Sequence, residues 1–340
     1  MPNDGGELAQ PLDAYVEPPP AAGVRLQWSA VPQSIQQRFE AWANSPVVEA
    51  ASQSTGFSPG VAAHLRLADG RALFVKAVSS AANADAPRIH RREARIVGAM
   101  PDHLPVPRLR WFYDGDDETD TGWVVLAFDV VSGRHPEQPW RLDQLQLVLD
   151  GLAQLAQRLT PSPLPIGTAR LAGDTLARHV CGWQRLAGDD GPESVQRLDA
   201  WSRRHLSTLA QMESHAPQAV SGSTLLHFDM RADNLLIDDD HVWFFDWPHA
   251  CVGAAWFDVV GLIPSVVMQG GPPAEEVFAR YRLGTEADQD AVNCALASLA
   301  GYFTRQSLLP PPPGLPTLRA FQAAQGTVAR RWLAERTGLR

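Results

Sequence analysis

Hydrophobic and polar positions alternate along the stretch "VVEAASQSTGFSPGVAAHLRLADGRALFVKAV", residues 47–78. A glycine-containing loop at 54–60 and the hairpin signal Asp69-Gly70 interrupt the alternation. This pattern predicts three antiparallel strands. With a two-residue turn at 69–70, Ala63 would lie opposite Lys76.

Other stretches of the first 130 residues follow the helical or the strand period. The sequence "SIQQRFEAWA" predicts a helix, and so does "PRIHRREARIVGAM", whose apolar residues recur at helical spacing. Glu93 falls on the apolar stripe of the second helix. The sequence "RLRWFYDGDDETDTGWVVLAFDV" predicts two strands, and its acidic run at 114–120 is typical of a solvated hairpin tip.

Helical patterns dominate after residue 140. Five segments have the helical period: "RLDQLQLVLDGLAQLAQRL", "VQRLDAWSRRHLSTLAQME", "AEEVFARYRL", "DAVNCALASLAGYFTRQSLL" and "TLRAFQAAQGTVARRWLAERTG". Between them, "LLHFDMRADNLLIDDDHVWFFDW" predicts short strands that end near Asp229, Asn234 and Asp246. Oxygen ligands in such positions suit Mg²⁺, which takes one or two carboxylates together with substrate phosphates.

Composition narrows the class of protein. The chain has 340 residues, 45% of them hydrophobic and 20% charged, so it can bury a large core and is expected to form two folded parts. A formal charge of -9 disfavours a nucleic-acid partner. Three widely separated cysteines indicate neither disulfides nor a zinc site and suit a reducing cytoplasm. No segment predicts a signal peptide or a membrane span, and nothing indicates an obligate protein partner.

The chain contains 28 arginines but a single lysine, Lys76. Its ammonium would lie on a half-apolar strand face with Phe74, Leu65 and Ala63, where an unpartnered charge is costly. Glu93 has the complementary problem on its helix. We therefore predict that the two pair with each other and that a phosphate is the second partner of the lysine. The alternative is a surface ion pair between Glu93 and an arginine of its own helix, which would leave the apolar stripe unexplained.

These motifs together resemble the aminoglycoside phosphotransferase and choline kinase superfamily. "HFDMRADN" matches the H-x-D-x-x-x-x-N loop of protein-kinase-like folds, and it stands in order with the glycine loop, Lys76, Glu93 and "FFDW". The resemblance implies an α+β bilobal protein-kinase-like fold. A flexible leader (1–24) would precede a small N-lobe (25–130) with an antiparallel sheet and one helix, and a larger, mainly helical C-lobe (131–340) would follow.

The resemblance also implies a role for each motif residue. It places at the nucleotide Ser54, Gly56, Ser58, Gly60, Lys76, Glu93, Ala127, Phe128 and Asp129, the last three through their backbone at the adenine edge. Asp229 would accept the proton of the substrate hydroxyl, and Asn234 with Asp246 would hold Mg²⁺ against the ATP phosphates. Asp258 would brace the catalytic loop, and His227 is expected to shape that loop by hydrogen bonding.

Several features distinguish the chain from a protein kinase. Trp247 and Pro248 follow Asp246, and only 11 residues separate Asp246 from Asp258, so an activation switch is not expected. Phe74 is bulkier than the small residue of protein kinases, which leaves the shape of the adenine pocket open. Arg231 could neutralise the transferred phosphate or could brace Asp233, and both interpretations stay open.

The sequence therefore predicts an ATP- and Mg²⁺-dependent phosphotransferase that acts on a hydroxyl of a small molecule. Residues 261–340 carry six acids against eight arginines, so they offer no strong acidic trap for a polycationic aminoglycoside. That lowers the weight of an antibiotic-resistance role without excluding it. Choline-like alcohols, sugars, macrolides, peptide antibiotics and amino-acid derivatives remain open as acceptors. The alternative from another class is a catalytically silent nucleotide-binding regulator.

Overall fold

The computed structural model describes residues 24–53, 56–57, 60–81, 83–115 and 122–340. The predicted leader lies outside the described residues up to position 23. So do Ser54 and Ser58 of the predicted glycine loop, and so does most of the predicted acidic hairpin tip.

A six-stranded sheet forms the first lobe. Its strands are β1 (Arg25–Leu26), β2 (Val47–Ser52), β3 (Gly60–Leu67), β4 (Ala72–Ser79), β5 (Leu109–Asp114) and β6 (Trp123–Asp129). The order β1-β3-β4-β6-β5, with β2 also on β3, is antiparallel except for the β1–β3 pair. Helix α1 (Gln33–Ala43) precedes β2, and α2 (Ala86–Gly98) connects β4 to β5. The predicted strands are confirmed, and both predicted helices are present.

The predicted register of the β3–β4 hairpin was wrong by one residue. Lys76 lies opposite Ala62, and Ala63 lies opposite Val75. The backbone N–H of Leu67 donates to the carbonyl of Arg71, so the loop between the strands has three residues instead of two. Gly70, with φ of +88°, supplies the left-handed residue that ends such a loop. Lys76 keeps Phe74 on its face but has Ala62 as its cross-strand neighbour, while Leu65 and Ala63 lie on the opposite face.

The two faces of this sheet have different partners. One face packs against α1 through Ile35 and Phe39, which are fully buried among the side chains of Leu65, Val75 and Val125. The other face packs against α2 and continues into the core of the second lobe. Alternate residues of β4 therefore point either into a dry core or toward the space between the lobes.

The second lobe is mainly helical. Its principal helices are α3 (Leu142–Arg158), α4 (Ala172–His179), α5 (Gly182–Ala187), α6 (Gly191–Gln196), α7 (Ala200–Ala219), α8 (Phe257–Met268), α9 (Ala274–Ala279), α10 (Arg282–Thr285), α11 (Gln289–Ser307) and α12 (Leu318–Thr337). The strands are β7 (Arg170–Leu171), β8 (Thr224–Leu226), β9 (Leu235–Asp238), β10 (His241–Phe244) and β11 (Cys251–Gly253). All five predicted helical segments contain helices, although two of them are broken, and β9 with β10 forms the predicted antiparallel hairpin.

The long α7 and α11 begin at aspartate caps. Asp199 accepts a hydrogen bond from the backbone N–H of Ser202, and Asp288 accepts from the backbone of Asp290. In the described part of the chain, no helix is both long and apolar enough to cross a membrane. The division of the lobes at residue 130 stays a prediction.

Candidate active site

A cleft of about 520 Å³ lies between the two lobes. The cleft-facing side of the sheet, α2 and the residues around Gly56 form one wall. The loop between β8 and β9 and the residues after β10 form the other. Side chains predicted from separate parts of the sequence meet here, because both lobes contribute to the walls.

Lys76 joins the two lobes through two carboxylates. Its Nζ lies 2.6 Å from Oε1 of Glu93 on α2 and 2.8 Å from Oδ1 of Asp246, which follows β10. The side chains of Lys76 and Glu93 are almost completely buried. The predicted pairing of Lys76 with Glu93 is thus confirmed, and Asp246 is a further partner.

Burial and charge act against each other in this group of three. Burial alone would lower the pKa of Lys76, but Asp246 and Glu93 raise it above its ordinary value, so the amine stays charged. Burial would raise the pKa of Asp246, but the charge and the hydrogen bond of Lys76, together with Arg231 and His227, outweigh burial and lower that pKa. Burial raises the pKa of Glu93 to about 7 despite Lys76. The geometry therefore holds one ammonium and one ionised carboxylate ready at the cleft.

The loop after β8 is held in place by Asp258 at the start of α8. The carboxylate of Asp258 accepts hydrogen bonds of 2.8 and 2.9 Å from the backbone N–H groups of His227 and Phe228. His227 is fully buried, donates from Nε2 to the carbonyl of Phe245 (2.9 Å) and accepts at Nδ1 from the N–H of Asp229 (3.3 Å). His227 therefore shapes the loop as predicted and links it to the segment that carries Asp246.

Two residues of this site adopt left-handed backbone conformations. Phe228 has φ of +68° and Asp246 has φ of +70°. Such conformations cost about 1 to 3 kcal/mol for residues other than glycine, and they persist only where the surroundings enforce them. The brace from Asp258 and the contact with Lys76 provide that enforcement, and Asp246 lines the cleft in this conformation.

Asn234 and Asp229 are connected through the backbone. The Nδ2 of Asn234 donates to the carbonyl of Asp229 at 2.8 Å, and the backbone N–H of Phe245 donates to the carbonyl of Asn234 at 3.2 Å. This network fixes the amide of Asn234 on the cleft wall that also carries Asp246. The structure thus brings Asp229, Asn234 and Asp246 to neighbouring strand ends, as the sequence pattern predicts.

Arg231 contacts acids of its own loop. Its guanidinium donates to both carboxylate oxygens of Asp233 (2.9 and 3.1 Å) and to Oδ1 of Asp229 (3.1 Å). The rings of Phe57 and Phe321 lie 5.7 and 5.9 Å from the guanidinium carbon and 4.9 Å from each other. Burial would lower the pKa of Arg231, but Asp229 and Asp233 raise it, so Arg231 stays charged next to the proposed base.

The described glycines of the loop have conformations that other residues rarely adopt. Gly56 has φ of +94° and lines the cleft, whereas Gly60, with φ of +114°, stands at the base of β3. A Cβ on Gly60 would lie 2.6 Å from the carbonyl oxygen of Ala77, so only glycine allows β3 to approach β4 so closely. Gly60 therefore positions the loop without lining the cleft.

The predicted adenine edge includes two residues that lie inside the sheet. Strands on both sides of β6 pair with Ala127 and also with Phe128, so neighbouring strands flank the backbone of both residues. Phe128 and Asp129 do line the cleft, and the connector continues along its wall to His135. The Asp129 N–H already donates to the carbonyl of Arg108 at 3.0 Å. The open backbone of the connector therefore begins later than predicted.

Sequence reasoning missed two basic residues of the cleft. Arg25 lines it from β1, and the buried His90 lines it from α2, where its Nδ1 lies 3.0 Å from the carbonyl of Ala86. His90 occurs three residues before Glu93, at a spacing that places both on one face of α2, and this signal could have found it. Arg25 has no such local signal.

Structures of the same fold bind nucleotides and small molecules. A thermostable variant of aminoglycoside phosphotransferase APH(4)-Ia, solved with AMP-PNP and hygromycin B, is 16% identical at a TM-score of 0.59; the alignment covers 90% of this chain and 99% of that one. Spectinomycin phosphotransferase APH(9)-Ia with ADP and spectinomycin is 12% identical, with a TM-score of 0.58 and 89% and 98% coverage. A candidate fructosamine-3-kinase from Thermobifida fusca YX-ER1 is 19% identical, with a TM-score of 0.54 and 87% and 99% coverage.

Sequence comparison agrees with the likeness in fold. The family model for phosphotransferase enzymes (APH) matches residues 57–292, a range that runs from the glycine loop into α11. A search of curated proteins found no match. The predicted kinase-like fold, with a sheet-rich and a helical lobe, is confirmed.

Proposed function

We propose which cofactors and which class of substrate this chain uses. The chain belongs to the phosphotransferase enzyme family and is a small-molecule phosphotransferase. The proposed reaction transfers the γ-phosphoryl group of ATP, with Mg²⁺, to a hydroxyl of a small molecule. The contact of Lys76 with both Glu93 and Asp246 carries this proposal, because it sets a charged amine and an acid side by side in the cleft between the lobes.

The side chains around Asp246 fit a magnesium ion that is held partly by phosphates. Within the described ranges, no three His, Cys, Asp or Glu side chains are grouped as a metal site of their own. Mg²⁺ does not require such a group, since one or two protein oxygens and substrate phosphates suffice. Asp246 and Asn234 would supply those oxygens. The ion would neutralise charge on the phosphates, and Lys76 would hold the α- and β-phosphates.

Asp229 is the proposed base. Its side chain is about 29% exposed, enough for a substrate hydroxyl to approach, while its backbone is held by His227 and Asn234. The hydroxyl oxygen forms a bond to the γ-phosphorus, the bond from that phosphorus to the bridging oxygen breaks, and Asp229 takes the hydroxyl proton. ADP and a phosphate monoester are the products.

Arg231 is proposed to stabilise the charge of the transferred phosphoryl group. It lines the cleft and contacts both Asp233 and the proposed base Asp229, so it lies where the γ-phosphate would meet the acceptor. A guanidinium there stabilises charge on the phosphoryl oxygens during transfer. Its contact with Asp233 would hold it in place while it turns from Asp229 to the phosphate.

The surroundings of Asp229 disfavour a polycationic acceptor. Burial and the charge of Asp229 raise the pKa of Tyr302 on α11, whereas Arg319 on α12 lowers it, so these groups lie near one another. Within the described residues, Arg319 donates to neutral oxygens, those of Gln306 (2.6 Å), Gln322 (2.8 Å) and the Pro310 carbonyl (3.1 Å).

Several acidic side chains of the last helices have partners of their own. Glu275 contacts Arg336, Glu276 contacts Arg280, Glu286 contacts Arg282, and Asp288 caps α11. A neutral or anionic hydroxyl compound, such as a sugar or an amino-acid derivative, therefore suits the site better than an aminoglycoside.

An ADP-release screen over a panel of neutral, anionic and cationic hydroxyl compounds tests the proposal. The Asp229→Asn variant serves as the blank, and Asp240→Asn, at the exposed turn after β9, is the matched control. We expect acceptor-dependent ADP release that Asp229→Asn lowers by about 100- to 10,000-fold, while MgATP binding persists and the control behaves as wild type. Equal activity of Asp229→Asn and wild type would contradict the assignment. ATP binding without acceptor-dependent release would favour the silent regulator.

A further inference from the structure

The short strand β1 connects the two lobes at the glycine loop. Arg25 and Leu26 pair in parallel with Gly60 and Val61 at the start of β3, and the N–H of Gly60 donates to the carbonyl of Val24. The N–H of Val24 in turn donates to the carbonyl of Gly314, in the turn before α12, at 2.9 Å. β1 thus holds the base of the glycine loop against the second lobe.

This strand carries Arg25 into the cleft. Arg25 is one of the residues that line the cleft, together with Gln53 and Gly56 of the adjoining loop. A Cβ built on Gly56 would lie 3.0 Å from Nη2 of Arg25, so the guanidinium lies against the backbone of Gly56. Burial lowers the pKa of Arg25 and the charge of Asp246 opposes that effect. Arg25 remains protonated, as arginine does in proteins.

The other two cations near the proposed phosphate site are each engaged by two acids. Lys76 contacts Glu93 and Asp246, and Arg231 contacts Asp229 and Asp233. Arg25 lines the same cleft from β1, against Gly56, and its charge acts on Asp246.

We propose that Arg25 is a phosphate-binding residue of the nucleotide site, supplied from outside the segment that the family model matches. The proposal rests on the proposed ATP-dependent function. A guanidinium offers two parallel donors to phosphate oxygens, which backbone N–H groups of a glycine loop complement. A purely structural role is the alternative, in which Arg25 only supports Gly56 from below.

Binding measurements with phosphorylated and unphosphorylated ligands separate the two roles. We would measure the affinities of MgATP and of adenosine for the wild type, Arg25→Gln and Arg25→Lys by calorimetry. Arg66→Gln is the control, because Arg66 lies on β3 of the same sheet but forms an exposed ion pair with Glu49.

Arg25→Gln is expected to weaken MgATP binding about 10-fold and to leave adenosine binding unchanged, because only the triphosphate contacts Arg25. Arg25→Lys should recover part of the loss. An equal loss for both ligands, or no loss for MgATP, overturns the proposal. A wild type that binds MgATP no more tightly than adenosine instead rejects the nucleotide assignment itself.

A measurement on the wild type alone guards against a variant that does not fold. MgATP should protect Arg25 from an arginine-selective dicarbonyl reagent, with the modified positions read by mass spectrometry, whereas adenosine should not. Arg66 should react at the same rate with either ligand. Protection of Arg25 by adenosine to the same degree would show occlusion by the loop and not phosphate contact, and would reject the proposal.

Discussion

The two faces of the N-lobe sheet differ although the same strands build both. On the α1 face, β4 presents Leu73, Val75 and Ala77 to a core without charged side chains among its buried members. On the cleft face the alternate residues of the same strand include Lys76, held by Glu93. Strand alternation thus lets one element stabilise the fold with one set of side chains and hold a charge with the next.

The two faces therefore contribute differently to folding stability and to chemistry. Apolar burial on the α1 face stabilises the folded state at about 25 cal/mol per Å² of apolar surface removed from water. The buried ion pairs of the cleft face lose in desolvation much of what they gain in attraction, so they are weak contributors to stability. The α1 face therefore contributes mainly to stability, whereas the other face combines packing against α2 with the chemistry of the cleft, and three experiments can break or sharpen this contrast.

Removal of a large side chain from the α1 face should have the largest effect. Phe39 is fully buried and its ring lies 5.5 Å from Trp28 and 5.4 Å from Trp111. Phe39→Ala should lower the free energy of unfolding by about 3 to 5 kcal/mol because it leaves a cavity. Denaturant unfolding measures this change, with Gln37→Ala on the exposed side of α1 as control. Loss of MgATP affinity in the folded fraction would contradict this separation of stability from nucleotide binding.

Replacement of the buried ion pair on the cleft face should affect activity instead. The double variant Lys76→Met with Glu93→Leu removes this pair, and Asp246, whose side chain is 25% exposed and which Arg231 also attracts, is not left as an isolated buried charge. We expect kcat/KM to fall about 100-fold or more, equal to about 2.7 kcal/mol, with the free energy of unfolding within about 1 kcal/mol of wild type. Steady-state kinetics and urea unfolding test both halves. The exposed pair Arg66→Gln with Glu49→Gln is the control, and a variant that keeps its activity would refute the role of Lys76.

The smallest expected effect is a pH dependence from His90. Burial, and then Lys76, lower the pKa of His90 from 6.5 to about 4, so the folded state keeps the ring neutral while the unfolded chain protonates it. The stability from this group is present above pH 6.5 and is lost as the pH falls toward 4. Between pH 7.5 and pH 5 the loss should reach about 2 kcal/mol.

Unfolding curves across that pH range, compared with those of His90→Asn, test this expectation. His103→Asn, at an exposed position, is the control. Contributions from other groups are common to both proteins and cancel in the difference. Parallel pH profiles for the wild type and His90→Asn would show that His90 is not the titrating group.

The sequence predicted most of the site because its residues lie in elements with strong local patterns. Lys76 and Glu93 could be paired since each carries a charge on an otherwise apolar face, and Asp229, Asn234 and Asp246 could be grouped by the strands between them. The structure places Lys76, Glu93, Asn234 and Asp246 around one cleft, and Asp229 lies next to them through its contacts with Arg231 and Asn234. Their chemical roles remain predictions that the experiments above address.

Features that depend on contacts between distant segments could not be predicted. The β3–β4 register depends on the left-handed conformation of Gly70, which the dipeptide Asp69-Gly70 allows without fixing the loop length. Arg25 could not be predicted as a cleft residue, because the two-residue strand β1 that carries it has no periodicity of its own. Helix α8 was missed for a different reason: it is buried on nearly all sides and contains Pro264, so it lacks an amphipathic pattern.

The single lysine gives this protein an unusual sensitivity to cyanate. Urea solutions generate cyanate on standing, and cyanate carbamylates uncharged amines. The folded chain protects Lys76, because the amine is buried and its pKa is raised. The unfolded chain exposes the amine of Lys76, and the 340 residues contain no other lysine that could react with cyanate. Protein recovered from aged urea should therefore refold with its only side-chain amine blocked, and a gain of one carbamyl group per chain at Lys76 would account for lost activity.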